Sequence, residues 1–106
     1  MPHSEIVRDA AIQRFEYSFE LVWKLLMEYL RVAEGIICNS PKACWREAFK
    51  TGLLGDDDTT RFLEMTDDRN QTVHTYREEI AEVIFGRLKA YHLLMERLVR
   101  NIRKRT

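Results

Sequence analysis

Residues 4–35 read SEIVRDAAIQRFEYSFELVWKLLMEYLRVAEG, and this stretch decides the fold class. Val7, Ala11, Phe15, Phe19 (with Val22), Leu26, Leu30 and Ala33 recur at steps of three and four, the period of one helix face. Ile12, Trp23 and Leu25 add a second stripe, so the apolar arc is wide and predicts burial against more than one neighbour. Ser4 is placed to cap the start, and Gly35 to end the helix in a left-handed conformation.

Further along the chain, Ser40-Pro41 is a helix start, because proline lacks the N–H that the first turn leaves unpaired. Gly52 closes that short helix, whose inner side is expected to be Cys44, Trp45, Ala48 and Phe49. LLGDDD is then a turn, and Asp56 to Asp58 favour the positive end of a third helix with Phe62, Leu63, Met65 and Thr66 inward. A fourth helix is expected from Thr75, which has capping-box spacing to Glu78. Ile80, Ile84, Leu88, Tyr91, Met95, Leu98 and Ile102 line it, and from Ile84 they form an a/d-like seam, part of which could meet a second copy of the chain. The basic residues from Arg97 to Arg105 read as a solvated helix end that complements the dipole.

The chain has 106 residues, so a single domain over 1–106 is expected. Four Gly and two Pro are too few for the turns of an all-β fold. The expectation is an all-α, antiparallel, up-and-down bundle of about four helices that dimerises to complete a thin core. Seventeen basic residues balance seventeen acidic ones, which excludes a generally basic nucleic-acid coat and restricts any RNA contact to a local site. No apolar run is long enough to span a membrane, and MPHSEIVRD lacks the features of a secretory signal. Cys38 and Cys44 therefore read as reduced thiols of a cytoplasmic protein. With His3, His74 and His92 scattered, no metal site and no cofactor is expected.

The segment with chemical potential is Asp67-Asp68-Arg69-Asn70-Gln71-Thr72-Val73-His74-Thr75-Tyr76. On one continuous helix Arg69 and His74 would stand about 140° apart around the axis. If the helix ends before His74 and Thr75 caps the next one, the connector can bring the imidazole back toward the guanidinium. Arginine binds phosphate oxygens with paired hydrogen bonds, and histidine exchanges protons near neutral pH. RNA supplies its own nucleophile, the 2′-OH, so this chemistry does not require a metal. The plainer alternative pairs Arg69 with Asp67 or Asp68 and leaves His74 as a helix cap. Similarly, Glu16, Glu20 and Lys24 form either a row of same-face ion pairs or a polar row that orients Arg69. His92 reads as a surface or interface residue.

Arg69-Asn70-Gln71-Thr72-Val73-His74-Thr75-Tyr76 resembles the R-x4-H-x-Y motif of the HEPN superfamily (higher eukaryotes and prokaryotes nucleotide-binding). More narrowly, the chain resembles the bacterial nucleotidyltransferase substrate-binding proteins. Ile12-Gln13-Arg14-Phe15-Glu16, Phe19-Glu20-Leu21 and Trp23-Lys24 match a first block of that family. Ser40-Pro41, Arg46-Glu47-Ala48-Phe49 and Gly52-Leu53 match a second, and Met65, Arg69-Asn70 and His74-Thr75-Tyr76 a third. The resemblance implies a helical homodimer with a cleft near the interface, partnered by a minimal nucleotidyltransferase encoded nearby in a toxin–antitoxin-like pair. It implies a metal-independent RNase in which Arg69 stabilises the phosphate and His74 is the general acid or base. Asn70 and Tyr76 would contact substrate, and Tyr76 would be the tyrosine that the partner modifies with AMP. The alternative it leaves is a non-catalytic nucleotide- or substrate-binding subunit. Family members also carry about one more helix ahead of the Ile12 block, where this chain has eleven residues.

Overall fold

The caps set the helix boundaries. In this computed structural model, which describes residues 4–106, α1 spans Glu5–Glu34, α2 Pro41–Lys50, α3 Asp56–Gln71 and α4 Glu78–Arg105. A short 3-10 turn, Thr72–His74, separates α3 from α4. His3 and the start of the N-terminal stretch read above lie outside the described residues. The Ser4 hydroxyl accepts from the Val7 amide at 3.1 Å, and Gly35 ends α1 at φ 66°. The Ser40 hydroxyl caps α2, and Gly52 turns the chain after it at φ 78°.

The start of α4 corrects the sequence reading. The Thr75 hydroxyl bonds back to the Thr72 carbonyl at 3.0 Å, so it is not free to cap, and the helix begins at Glu78 with no side-chain cap. The first turn of α4 instead carries Glu78 and Glu79, acids favoured at that dipole end.

The four helices pack as a bundle, but their directions depart from strict alternation. Trp45 stacks on Phe62 at 4.4 Å while Lys42 reaches Asp67 at 2.6 Å, so α2 and α3 are antiparallel. Asp58 meets Arg97 and Asp68 meets Arg87, so α3 and α4 are antiparallel as well. However, Arg8 pairs with Glu82 and Phe15 stacks on Tyr91, so α1 and α4 lie side by side in the same direction. The cause is the extended segment 35–40, which carries the chain back along α1 before α2 begins, rather than reversing it in a tight hairpin.

The core forms around Trp45, which is fully buried against Phe19 and Phe62 and donates to the Thr66 hydroxyl at 2.8 Å. The seam on α4 is buried within one chain: Tyr91, Met95, Leu98 and Ile102 join this core, and Ile84 packs with Ile12 and Ala81 in a smaller cluster beside it. Two positions near the start of α1 differ from the periodic reading. Val7 is exposed, and Arg8 is buried in its place because its guanidinium binds Glu82 at 2.9 Å and Asp9 at 3.1 Å. Phe49, expected inward on α2, is also exposed.

The cysteines are a further correction. Cys38 and Cys44 are joined in a disulfide, with Cα atoms 5.4 Å apart, rather than standing as two thiols. The Ser40-Pro41 turn folds the extended segment onto the first turns of α2, which buries both sulfur-bearing residues against each other. Among the described residues, no helix is long and apolar enough to cross a membrane.

Candidate functional site

Arg69 sits in the last turn of α3, where the helix gives way to the 3-10 turn. Its Nη1 donates to the Thr72 hydroxyl at 2.9 Å and lies 3.2 Å from Glu16 Oε2 on α1. Its Nη2 is 3.9 Å from Glu20 Oε1, and its buried Nε has no hydrogen-bond partner among the described residues. Asp67 and Asp68 do not pair with Arg69: Asp67 takes Lys42, and Asp68 takes Arg87 and Tyr91. The row on α1 therefore does both things its spacing allowed. Glu16 and Glu20 face Arg69, and Glu20 also meets Lys24 at 3.7 Å.

A cavity of about 580 Å³ opens at this point, lined by Arg69 with Gln13, Arg14, Glu16, Tyr17 and Glu20 of α1. Arginine takes up a phosphate through paired N–H···O bonds, and a guanidinium on the lining of a cavity can offer them to a ligand there. Glu16 and Glu20 together offset the charges of Arg69 and Arg14 on the cavity lining, so an anion meets a locally balanced site rather than a bare cation.

His74 ends the 3-10 turn and is exposed, with Nδ1 3.2 Å from the Tyr76 hydroxyl and the two rings edge to face. Tyr76 is 78% exposed, and Asn70 is exposed on α3. The break in the helix ahead of His74 is present, as the geometry of the segment required. Even so, Arg69 and His74 share no hydrogen bond: the first is held by α1 and Thr72, the second by Tyr76. His92 is exposed and pairs with Glu96 on α4, away from this segment.

Sequence reasoning passed over Thr72. It is buried, and its hydroxyl joins Arg69 to Glu16. The available signal was its place three residues after Arg69, within reach back over one helical turn.

The sequence profile of the family described as "Nucleotidyltransferase substrate binding protein like" matches residues 1–104. A Haemophilus influenzae protein named "Probable ribonuclease HepT" is 30% identical over 99 residues, 90% of this chain. The chain spans 66% of that relative's length. The crystal structure of a protein from Thermus thermophilus superposes with a TM-score of 0.94 at 50% identity, covering 96% of this chain and 86% of that one. The chain therefore belongs to the nucleotidyltransferase substrate-binding-protein-like family, in the HEPN group whose R-x4-H-x-Y segment it carries.

Proposed function

We propose that this chain is the HEPN partner of a minimal nucleotidyltransferase encoded nearby, and that as a cytoplasmic homodimer it cleaves RNA without a metal. The observation that carries this is Arg69 at the wall of a 580 Å³ cavity, with His74 exposed at the end of the next turn. The ribonuclease name of the Haemophilus relative supports the same reading. Arg69 would bind the scissile phosphate and stabilise its growing charge. The substrate's 2′-oxygen would bond to phosphorus as the 5′-oxygen leaves, with His74 taking the proton from the 2′-hydroxyl or giving one to the leaving oxygen. Asn70 and Tyr76 would add polar contacts to the strand.

Tyr76 has a second role in this reading. Its phenol is exposed beside His74, open to a partner enzyme. Adenylylation would form a bond from the phenol oxygen to the α-phosphorus of ATP, release pyrophosphate and pass the phenol proton to His74 or water. The added charge and bulk would occupy the approach to His74.

The test is cleavage of RNA by purified protein in the presence of a chelator. Arg69→Ala and His74→Ala should each lower the rate by at least about 100-fold. Intact RNA with the wild type refutes the catalytic reading. Co-expression with the neighbouring transferase should add the mass of AMP to Tyr76. One observation favours a non-catalytic subunit that holds a nucleotide for the transferase: Arg69 is engaged by α1 while His74 is engaged by Tyr76. That reading expects nucleotide binding that depends on Arg69 and no turnover.

A further inference from the structure

Three contacts converge on the buried Thr72 hydroxyl. It accepts from Arg69 Nη1 at 2.9 Å, and it lies 2.8 Å from Glu16 Oε2 and 2.7 Å from the Arg69 carbonyl. A hydroxyl has one proton to donate, and the carboxylate is the stronger of its two acceptors. Glu16 Oε2 also lies 3.2 Å from Arg69 Nη1, so Arg69, Thr72 and Glu16 close a ring around one end of the guanidinium. The other end is left unsatisfied. Nη2 is too far from Glu20 for a hydrogen bond, and buried Nε has no partner among the described residues. An arginine held at Nη1, with Nη2 making no hydrogen bond among the described residues, has a fixed direction of approach for an oxyanion. The same residue also carries the turn that leads to His74, since the Thr72 carbonyl accepts from the Thr75 hydroxyl at 3.0 Å.

We propose that Thr72, braced by Glu16, is the positioning residue that aims Arg69 at a phosphate in the cavity and ties it to the turn bearing His74. This rests on the reading of Arg69 as the phosphate anchor. Glu16 has two opposed effects. It braces the hydroxyl, and its charge opposes the incoming anion. Removing the brace and removing the charge therefore move anion binding in opposite directions.

The experiment titrates inorganic phosphate into the full chain and follows the Arg69 side-chain Nε–H signal by NMR, with Arg69→Ala assigning the signal. Overall phosphate affinity is measured in parallel by calorimetry. Thr72→Val should weaken phosphate by about tenfold, the worth of one hydrogen bond to a charged group. Thr72→Ser should restore it. Glu16→Gln should tighten it by about threefold, because the amide still accepts from Thr72 and no longer repels the anion. A merely architectural threonine would lower the thermal midpoint and leave phosphate affinity unchanged. Wild-type affinity in folded Thr72→Val overturns the positioning role and leaves the anchor intact. If Thr72→Val does not fold, Glu16→Gln decides, and unchanged or weaker binding there overturns the proposal. Equal calorimetric affinities in the wild type and Arg69→Ala would overturn the anchor reading, and this inference with it.

Discussion

Tyr91 shows how a single side chain ties two helices through a titratable contact. Its ring stacks on Phe15 at 5.7 Å, and its hydroxyl donates to Asp68 at 2.5 Å beside the two bonds from Arg87. Burial, and then the hydrogen bond to Asp68, push the phenol well above its ordinary range near 10. The unfolded chain has no such shift, so the unfolded phenol ionises first as pH rises. The protonated form belongs to the fold, and stability falls once pH passes about 10. Urea unfolding at pH 8 and pH 10.5 should therefore show a larger alkaline loss in the wild type than in Tyr91→Phe. The phenylalanine variant itself should cost about 1 kcal/mol at pH 8. Equal alkaline losses in the two proteins would contradict this. Residue types single out Arg69, His74 and Tyr76 as candidates because their chemistry is visible without coordinates. Thr72 and Arg8 were not legible. A threonine becomes a hub, and an arginine a buried residue, only through partners 56 and 74 positions away.

Among the elements, the spacing of apolar residues and the caps mark α1, α2 and the start of α3 closely, since periodicity and caps are local signals. Two features escaped it for the same reason. The Thr75 hydroxyl had a capping-box partner in sequence and a competing carbonyl in space, and the carbonyl won. The direction of α2 depends on what the 35–40 segment does, and an extended return leaves no periodic pattern. The Cys38–Cys44 link fastens that return to α2 across a separation of six residues. Opening it frees a short loop in the unfolded chain, so reduction should cost about 2 kcal/mol by loop-closure entropy. Because α2 lies against α3 rather than against the 3-10 turn, the loss should appear at Trp45 and not at His74. Tryptophan fluorescence and hydrogen exchange with and without reductant read this directly. Unchanged unfolding after confirmed reduction would show that packing alone holds the return segment.

At the scale of the whole molecule, α1 presents an unusual outer face. Tyr17, Leu21, Leu25 and Val32 are exposed on it, two of them by more than two thirds, while the opposite side of the helix is fully packed. The order Ala10, Arg14, Tyr17, Leu21, Leu25, Glu28, Val32 reads the same from either end in its spacing. Two such helices crossing antiparallel at Leu21 would set Tyr17 against Leu25 of the partner subunit, and Arg14 against the partner's Glu28. Arg14 has no ion-pair partner among the described residues, and Glu28 is otherwise held only by Arg31. A two-fold interface must be self-complementary, and this stripe is. Arg14 and Tyr17 also line the cavity at Arg69, so a second copy seated here would wall both clefts. We therefore expect the homodimer of the proposed function to form on this face, not on the α4 seam that the core consumes. Leu21→Glu places two carboxylates together at the axis and should raise the dimer dissociation constant by at least about 100-fold. Arg14→Glu should weaken the dimer, and adding Glu28→Arg should restore it, because the swap exchanges charges that face each other only across the interface. Sedimentation equilibrium measures all four proteins. A Leu21→Glu chain that associates as tightly as the wild type would place the interface elsewhere.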